Sequence, residues 1–143
     1  MSPSPLRGFN RRSVDQLLEA SVHMVYDFNM IRSENWGYWM LDYRLIGINP
    51  NIIITAGKNI EDHVIVHEYL HACENLILGV RKRFRESQID YWAHRHLQQD
   101  RFIAEYIRDG SEYFGFKHNY QGNTFKGVHF LKGVCLTPRK RSS

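Results

Sequence analysis

An α+β fold is predicted for this chain, on three observations. Apolar residues recur at helical intervals from Val14. An aromatic and β-branched stretch of roughly alternating polarity runs from Trp36 to Asn49. Two more helical patterns then fill 59–79 and 85–109. At 143 residues the chain suits one domain with its own core, and its 43% hydrophobic and 13% aromatic content excludes a disordered polymer. The expected division is a flexible N-terminus at 1–12, a single domain at 13–134 and a basic C-terminal tail at 135–143.

The elements follow in order. Ser13 is read as the cap of a first helix that begins at Val14, with Gln16 at the capping-box position. Val14, Leu17, Leu18, Val22, Val25, Phe28 and Met30 carry its apolar face to about Ile31, and it is expected to pack across the back of a sheet. Strands are expected at 37–41 and 43–48, the second ending or lying at a sheet edge where Pro50 lacks an N–H. Asn51 to Thr55 reads as a short strand or a buried connection. The next helix starts near Asn59, with Asp62 three residues on approximating a capping box, and stops at Gly79. Val80 to Arg85 is a basic connector, expected to be exposed. One long helix should then run from Arg85 to Asp109 and stop at Gly110. Towards the end, Tyr120 to Thr124 looks like a hairpin turn and Gly127 to Val134 like a strand.

Within the central helix lies His67-Glu68-Tyr69-Leu70-His71, an H-E-x-x-H motif. Residues four apart stack on one helical face, so two imidazoles at this spacing can share one metal ion. Glu68, about 100° further round, cannot easily share that ion but can reach a water bound to it. Two neutral nitrogen ligands leave most of the charge on Zn²⁺, so bound water acidifies towards neutrality, and a nearby carboxylate takes its proton. Val66, Leu70, Cys73 and Ile77 form one flank of this helix, and His63, His67, His71 and Glu74 gather on the next.

A catalytic zinc usually takes three protein ligands. Glu86 is the best third candidate, with Asp90 one turn on, within reach of the outer N–H of a ligand imidazole. Glu86, Asp90, Ala93, Leu97, Asp100 and Ala104 lie on one stripe, and the two carboxylates that open it need a positive partner. His94 and His96 are alternative third ligands, and His63, one turn before His67, could also approach the metal or be simply exposed.

The residues His67, Glu68, His71, Glu86 and Asp90 resemble the gluzincin metallopeptidases, whose pattern is H-E-x-x-H followed by E-x-x-x-D on the next core helix. Glu86 to Ala93 looks like the corresponding helix of small ImmA/IrrE-type peptidases. Leu45 to Pro50 looks like the edge strand of minimal zincins, including SprT-like ones. The resemblance covers about residues 40–105 and implies a minimal zincin-like domain. It also implies a small antiparallel or mixed sheet whose edge strand aligns an extended peptide by backbone pairing. The gap from His71 to Glu86 is short for the family.

The resulting expectation is a zinc metalloendopeptidase holding one Zn²⁺ per chain on His67, His71 and Glu86, with Glu68 as catalytic base and Asp90 behind a ligand imidazole. Tyr91, His94 and Tyr113 are candidate oxyanion donors, and the partner is a peptide or protein substrate. The alternative is a zinc-containing accessory factor that binds nucleic acid or an acidic protein through its basic C-terminal region. From Ser111 on the chain carries six Lys and Arg against one acid, while the whole chain has a formal charge of +4. No apolar run approaches a membrane span, and Met1 to Arg7 lacks the apolar core of a signal peptide. The two cysteines, Cys73 and Cys135, make no disulfide framework, so a cytoplasmic protein with free thiols is expected.

Overall fold

The computed structural model describes residues 10–20, 22–79, 84–113 and 129–132. Most of the basic connector, the expected turn at 120–124 and the C-terminal tail with Cys135 lie outside the described residues. The described chain is α+β, with helices packed against a mixed five-stranded sheet.

The first helix, α1 (Arg11–Glu19), starts earlier than expected because Asn10 caps it. The Asn10 side chain accepts the N–H groups of Arg12 and Ser13 at 3.0 and 3.2 Å. Ser13 is the reciprocal partner, its hydroxyl accepting the Asn10 N–H at 2.9 Å. The helix ends at Ala20, and the chain enters strand β1 (His23–Tyr26) where a longer helix was expected. Val22 and Val25 suit either period, and pairing with a neighbouring strand decides for β. α1 packs mainly on the helix Ile103–Gly110, and its Val14 and Leu17 join a core that also takes Met24 and Ile46 from the sheet. Arg11 pairs with Asp100 at 2.8 Å, and the Tyr106 hydroxyl donates to Asp15 at 2.7 Å.

Strands β2 (Asn35–Met40) and β3 (Leu45–Ile48) form an antiparallel pair, as the alternating pattern predicts. A short 3₁₀ turn joins them, and Arg44 takes a left-handed conformation at φ 50°. β1 runs parallel to β3. β4 (Glu112–Tyr113) adds parallel to β1, and β5 (His129–Lys132), inside the expected strand 127–134, adds antiparallel to β2. The strand order is β4-β1-β3-β2-β5. β3 is therefore central, and the expectation that Leu45 to Pro50 forms an edge is corrected. Pro50 does end the strand, but by opening a helix. It sits at φ −64°, ψ −18°, which sets up a first helical turn, and the Asn49 side chain accepts the Asn51 N–H at 2.9 Å. Asn51–Thr55 is thus a short helix, α2, and not a strand.

The central helix α3 (Lys58–Cys73) begins after Gly57, whose φ of 91° suits glycine. No side chain caps it. Asp62 pairs with Lys58 at 3.0 Å instead of completing a box with Asn59. From Val64 to Cys73 every residue of α3 is buried, so both its apolar and its polar flanks face protein. It packs against α2, β2, β3 and the two helices that follow. A π-helical turn (Glu74–Leu78) extends α3, and Gly79 closes it at φ 145°. The long helix expected from Arg85 to Asp109 is two helices, α4 (Glu86–Gln99) and α5 (Ile103–Gly110). Asp100 makes the break. It is extended, it accepts the Phe102 N–H at 3.2 Å, and it holds Arg11. No helix among the described residues is long and apolar enough to cross a membrane.

Candidate metal centre

The H-E-x-x-H residues lie in the C-terminal half of α3, within the run from Val64 to Cys73 that is buried throughout. His67 and Glu68 are fully buried and His71 nearly so. α4 crosses α3 so that its first two turns face the imidazoles. His67 Nε2 lies 2.9 Å from Glu86 Oε1, and His71 Nε2 lies 3.2 Å from Glu86 Oε2. These three residues bring one donor atom each within 4.8 Å of one another.

The outer nitrogens are also held. His67 Nδ1 lies 2.8 Å from Asp90 Oδ1, and His71 Nδ1 lies 2.9 Å from Glu74 Oε1. Each ligand imidazole is thereby fixed with Nδ1 towards a carboxylate and Nε2 towards Glu86, as metal-ligating histidines are commonly held. Two imidazoles and a carboxylate make a donor set that could hold a divalent metal ion. The observed spacings are close to the edge of about 3.3 Å that a tetrahedron with bonds of about 2.0–2.1 Å requires. The residues present therefore fit a divalent metal ion.

Asp90 Oδ1 also receives His63 Nε2 at 2.9 Å, so His63 serves Asp90 rather than the three-residue group. His63, His67 and Asp90 form a second group with metal-ligand spacing, but it shares His67 with the first. Burial works against a charge on His67, yet the hydrogen bonds to Asp90 and Glu86 and the neighbouring Glu68 outweigh it and hold its pKa at about 9. Burial likewise opposes the Asp90 carboxylate, and the hydrogen bonds from His63 and His67 overcome it, lowering its pKa to about 2. Without metal, these contacts favour a charged His67 with a proton on each ring nitrogen, and a metal ion on Nε2 would displace the one there.

Glu68 sits on the sheet side of α3. A Cβ built at Gly37 on β2 would lie 2.7 Å from Val64 Cγ1 and 3.3 Å from Glu68 Cγ, so glycine lets the strand close over this carboxylate.

The other predicted residues stand apart. Tyr91 is half-exposed, and its hydroxyl accepts from Arg95 at 2.8 Å. His94 is exposed and joins neither metal-spaced group. His96 is buried, which lowers its pKa, and it also lies outside both groups. Tyr113 stands in β4 opposite Met24, and its side chain lies outside the described residues. Sequence reasoning placed Glu74 beside the histidines but gave it no role. Its signal was the His-x-x-Glu spacing from His71, which puts it on the same helical face.

Comparison of the chain with protein-family models, curated proteins and solved structures gives no match.

Proposed function

We propose that the protein is a zinc metalloendopeptidase of gluzincin type in a minimal single-domain form. The observation that carries this reading is the meeting of His67 Nε2 and His71 Nε2 with the Glu86 carboxylate, each imidazole being held from behind by another acid. His67, His71 and Glu86 would hold the ion. Zinc bound there supplies a Lewis acid that brings water close to neutral acidity and polarises a peptide carbonyl.

The protein's own groups do the rest. Asp90 and Glu74 keep the Nδ1 protons of His67 and His71 in place and leave Nε2 free to donate a lone pair. Glu68 follows His67 directly and is shielded from solvent between α3 and β2. It takes the proton of the attacking water and returns it to the leaving amine, so proton balance is kept within one turnover. Burial keeps bulk water from competing for that carboxylate.

The test is Glu68→Gln. It should retain bound zinc and the fold, and its hydrolysis of a peptide substrate should fall on the order of 10²–10⁴-fold. Hydrolysis at the parent rate would show that Glu68 is not the base.

A further inference from the structure

Glu74 occupies an unusual place. It opens the π-helical turn at the C-terminal end of α3, where the helix dipole disfavours a negative charge. It is also 2% exposed, so its charge needs buried partners. It has two. One oxygen receives His71 Nδ1 at 2.9 Å, and the other accepts the backbone N–H of Phe84 at 2.7 Å. Phe84 stands two residues before Glu86, at the entrance to α4. The widened turn lets one side chain reach back to a ligand of α3 and across to the start of α4. Its own backbone carbonyl accepts the Gly79 N–H at 2.9 Å, and Trp39 Nε1 donates to the adjoining Asn75 at 2.7 Å, which anchors the turn to β2.

We propose that Glu74 is a positioning residue that sets His71 and Glu86 relative to each other, an inference that rests on the metal reading above. Both of its partners are donors when His71 is ready for metal. A carboxylate accepts from both, whereas an amide offers one acceptor and one donor. Glu74→Gln therefore forces a choice. Either His71 moves its proton to Nε2, the atom that faces Glu86, or the Phe84 N–H meets another N–H and the start of α4 shifts.

The test uses the full chain and zinc, with affinity read by competition against a chromophoric chelator. Glu74→Gln should weaken zinc binding about 10–100-fold. Glu61→Gln is the control, since Glu61 is another buried acid of α3 but is held by Tyr26 and Arg108, away from the site. It should leave zinc affinity unchanged even if it lowers stability. In a Glu86→Gln background the Glu74→Gln effect should shrink, because part of it acts through Glu86. A second readout needs no metal. In the metal-free parent, nitrogen-15 NMR should show a His71 Nδ1 proton protected from exchange with water.

Parent-like zinc affinity in Glu74→Gln overturns the proposal, and so does full additivity with Glu86→Gln. If Glu74→Gln does not fold, the parent NMR decides, and a His71 without a proton on Nδ1 overturns the proposal. A parent that binds no zinc but shows that proton defeats the enzyme reading while leaving the Glu74–His71–Phe84 bridge standing.

Discussion

The two helices that supply the candidate ligands are built differently. On α3 the side chains of His67 and His71 are 0% and 3% exposed, whereas on α4 those of Glu86 and Asp90 are 43% and 29% exposed. The α3 half is placed by the core, since Val64, Ile65, Tyr69 and Leu70 around it are all inaccessible. The α4 half is anchored below by Ile89 and Ala93, and its polar end is held by ties to α3: Asp90 to His63 and His67, and Phe84 to Glu74. Rigid placement thus comes from packing on one side and from hydrogen bonds on the other. Changes on α3 should cost fold and metal together, and changes on α4 should weigh more on metal than on fold.

The largest effect should come from His67→Ala. It removes a ligand, opens a cavity and leaves Asp90 and Glu86 without their shared partner. Loss of stoichiometric metal and about 2–5 kcal/mol of stability are expected, read by metal analysis and urea unfolding. Glu86→Ala sharpens the contrast. It should weaken metal binding as well, yet cost less stability than His67→Ala, because the half-exposed Glu86 side chain leaves no core cavity even though His67 and His71 lose its hydrogen bonds.

The metal-free chain should also reveal the buried half through pH. The His67 pKa is raised from 6.5 to about 9, so the stability it confers is fully present below pH 6.5 and is lost as pH rises through 9. The swing is on the order of 3 kcal/mol. The Asp90 pKa is lowered from 3.8 to about 2, so its contribution is present above pH 3.8 and is lost as pH falls through 2. Urea midpoints of the metal-free protein should fall between pH 6.5 and 9.5, and Asp90→Asn should flatten that fall.

With metal, Asp90→Asn should weaken zinc binding about 10–100-fold while the fold persists, read by chelator competition. The smallest change is Gly37→Ala. The added methyl meets Val64 and the stem of Glu68, and should cost about 1–3 kcal/mol while leaving zinc stoichiometry intact.

Much of the site was legible because it is written in helical spacing. His67 and His71 are four apart, Glu86 and Asp90 are four apart, and each pair shares a face on any helix. That the two faces meet was an expectation from the need for a third ligand and from the resemblance, and in the structure Glu86 and Asp90 both lie against His67. The tertiary choices were less legible. Val22 to Met30 carries apolar residues at intervals that suit a helix, but β1 forms because β3 and β4 stand ready to pair with it. Leu45 to Ile48 has no feature that separates an edge from a centre, since that depends on which strands come to lie beside it. The break at Asp100 rests on a partner eighty-nine residues away, Arg11, which local sequence cannot announce. The role of Glu74 was not legible, because a regular helix does not carry it across to Phe84, whereas the π-helical turn does.

The most direct test of the metal centre is zinc content per purified chain, measured for the parent beside His71→Ala and Glu86→Ala. One zinc per parent chain, lost or weakened in both variants, is the predicted result. A folded parent that takes up no zinc when zinc is supplied would contradict it.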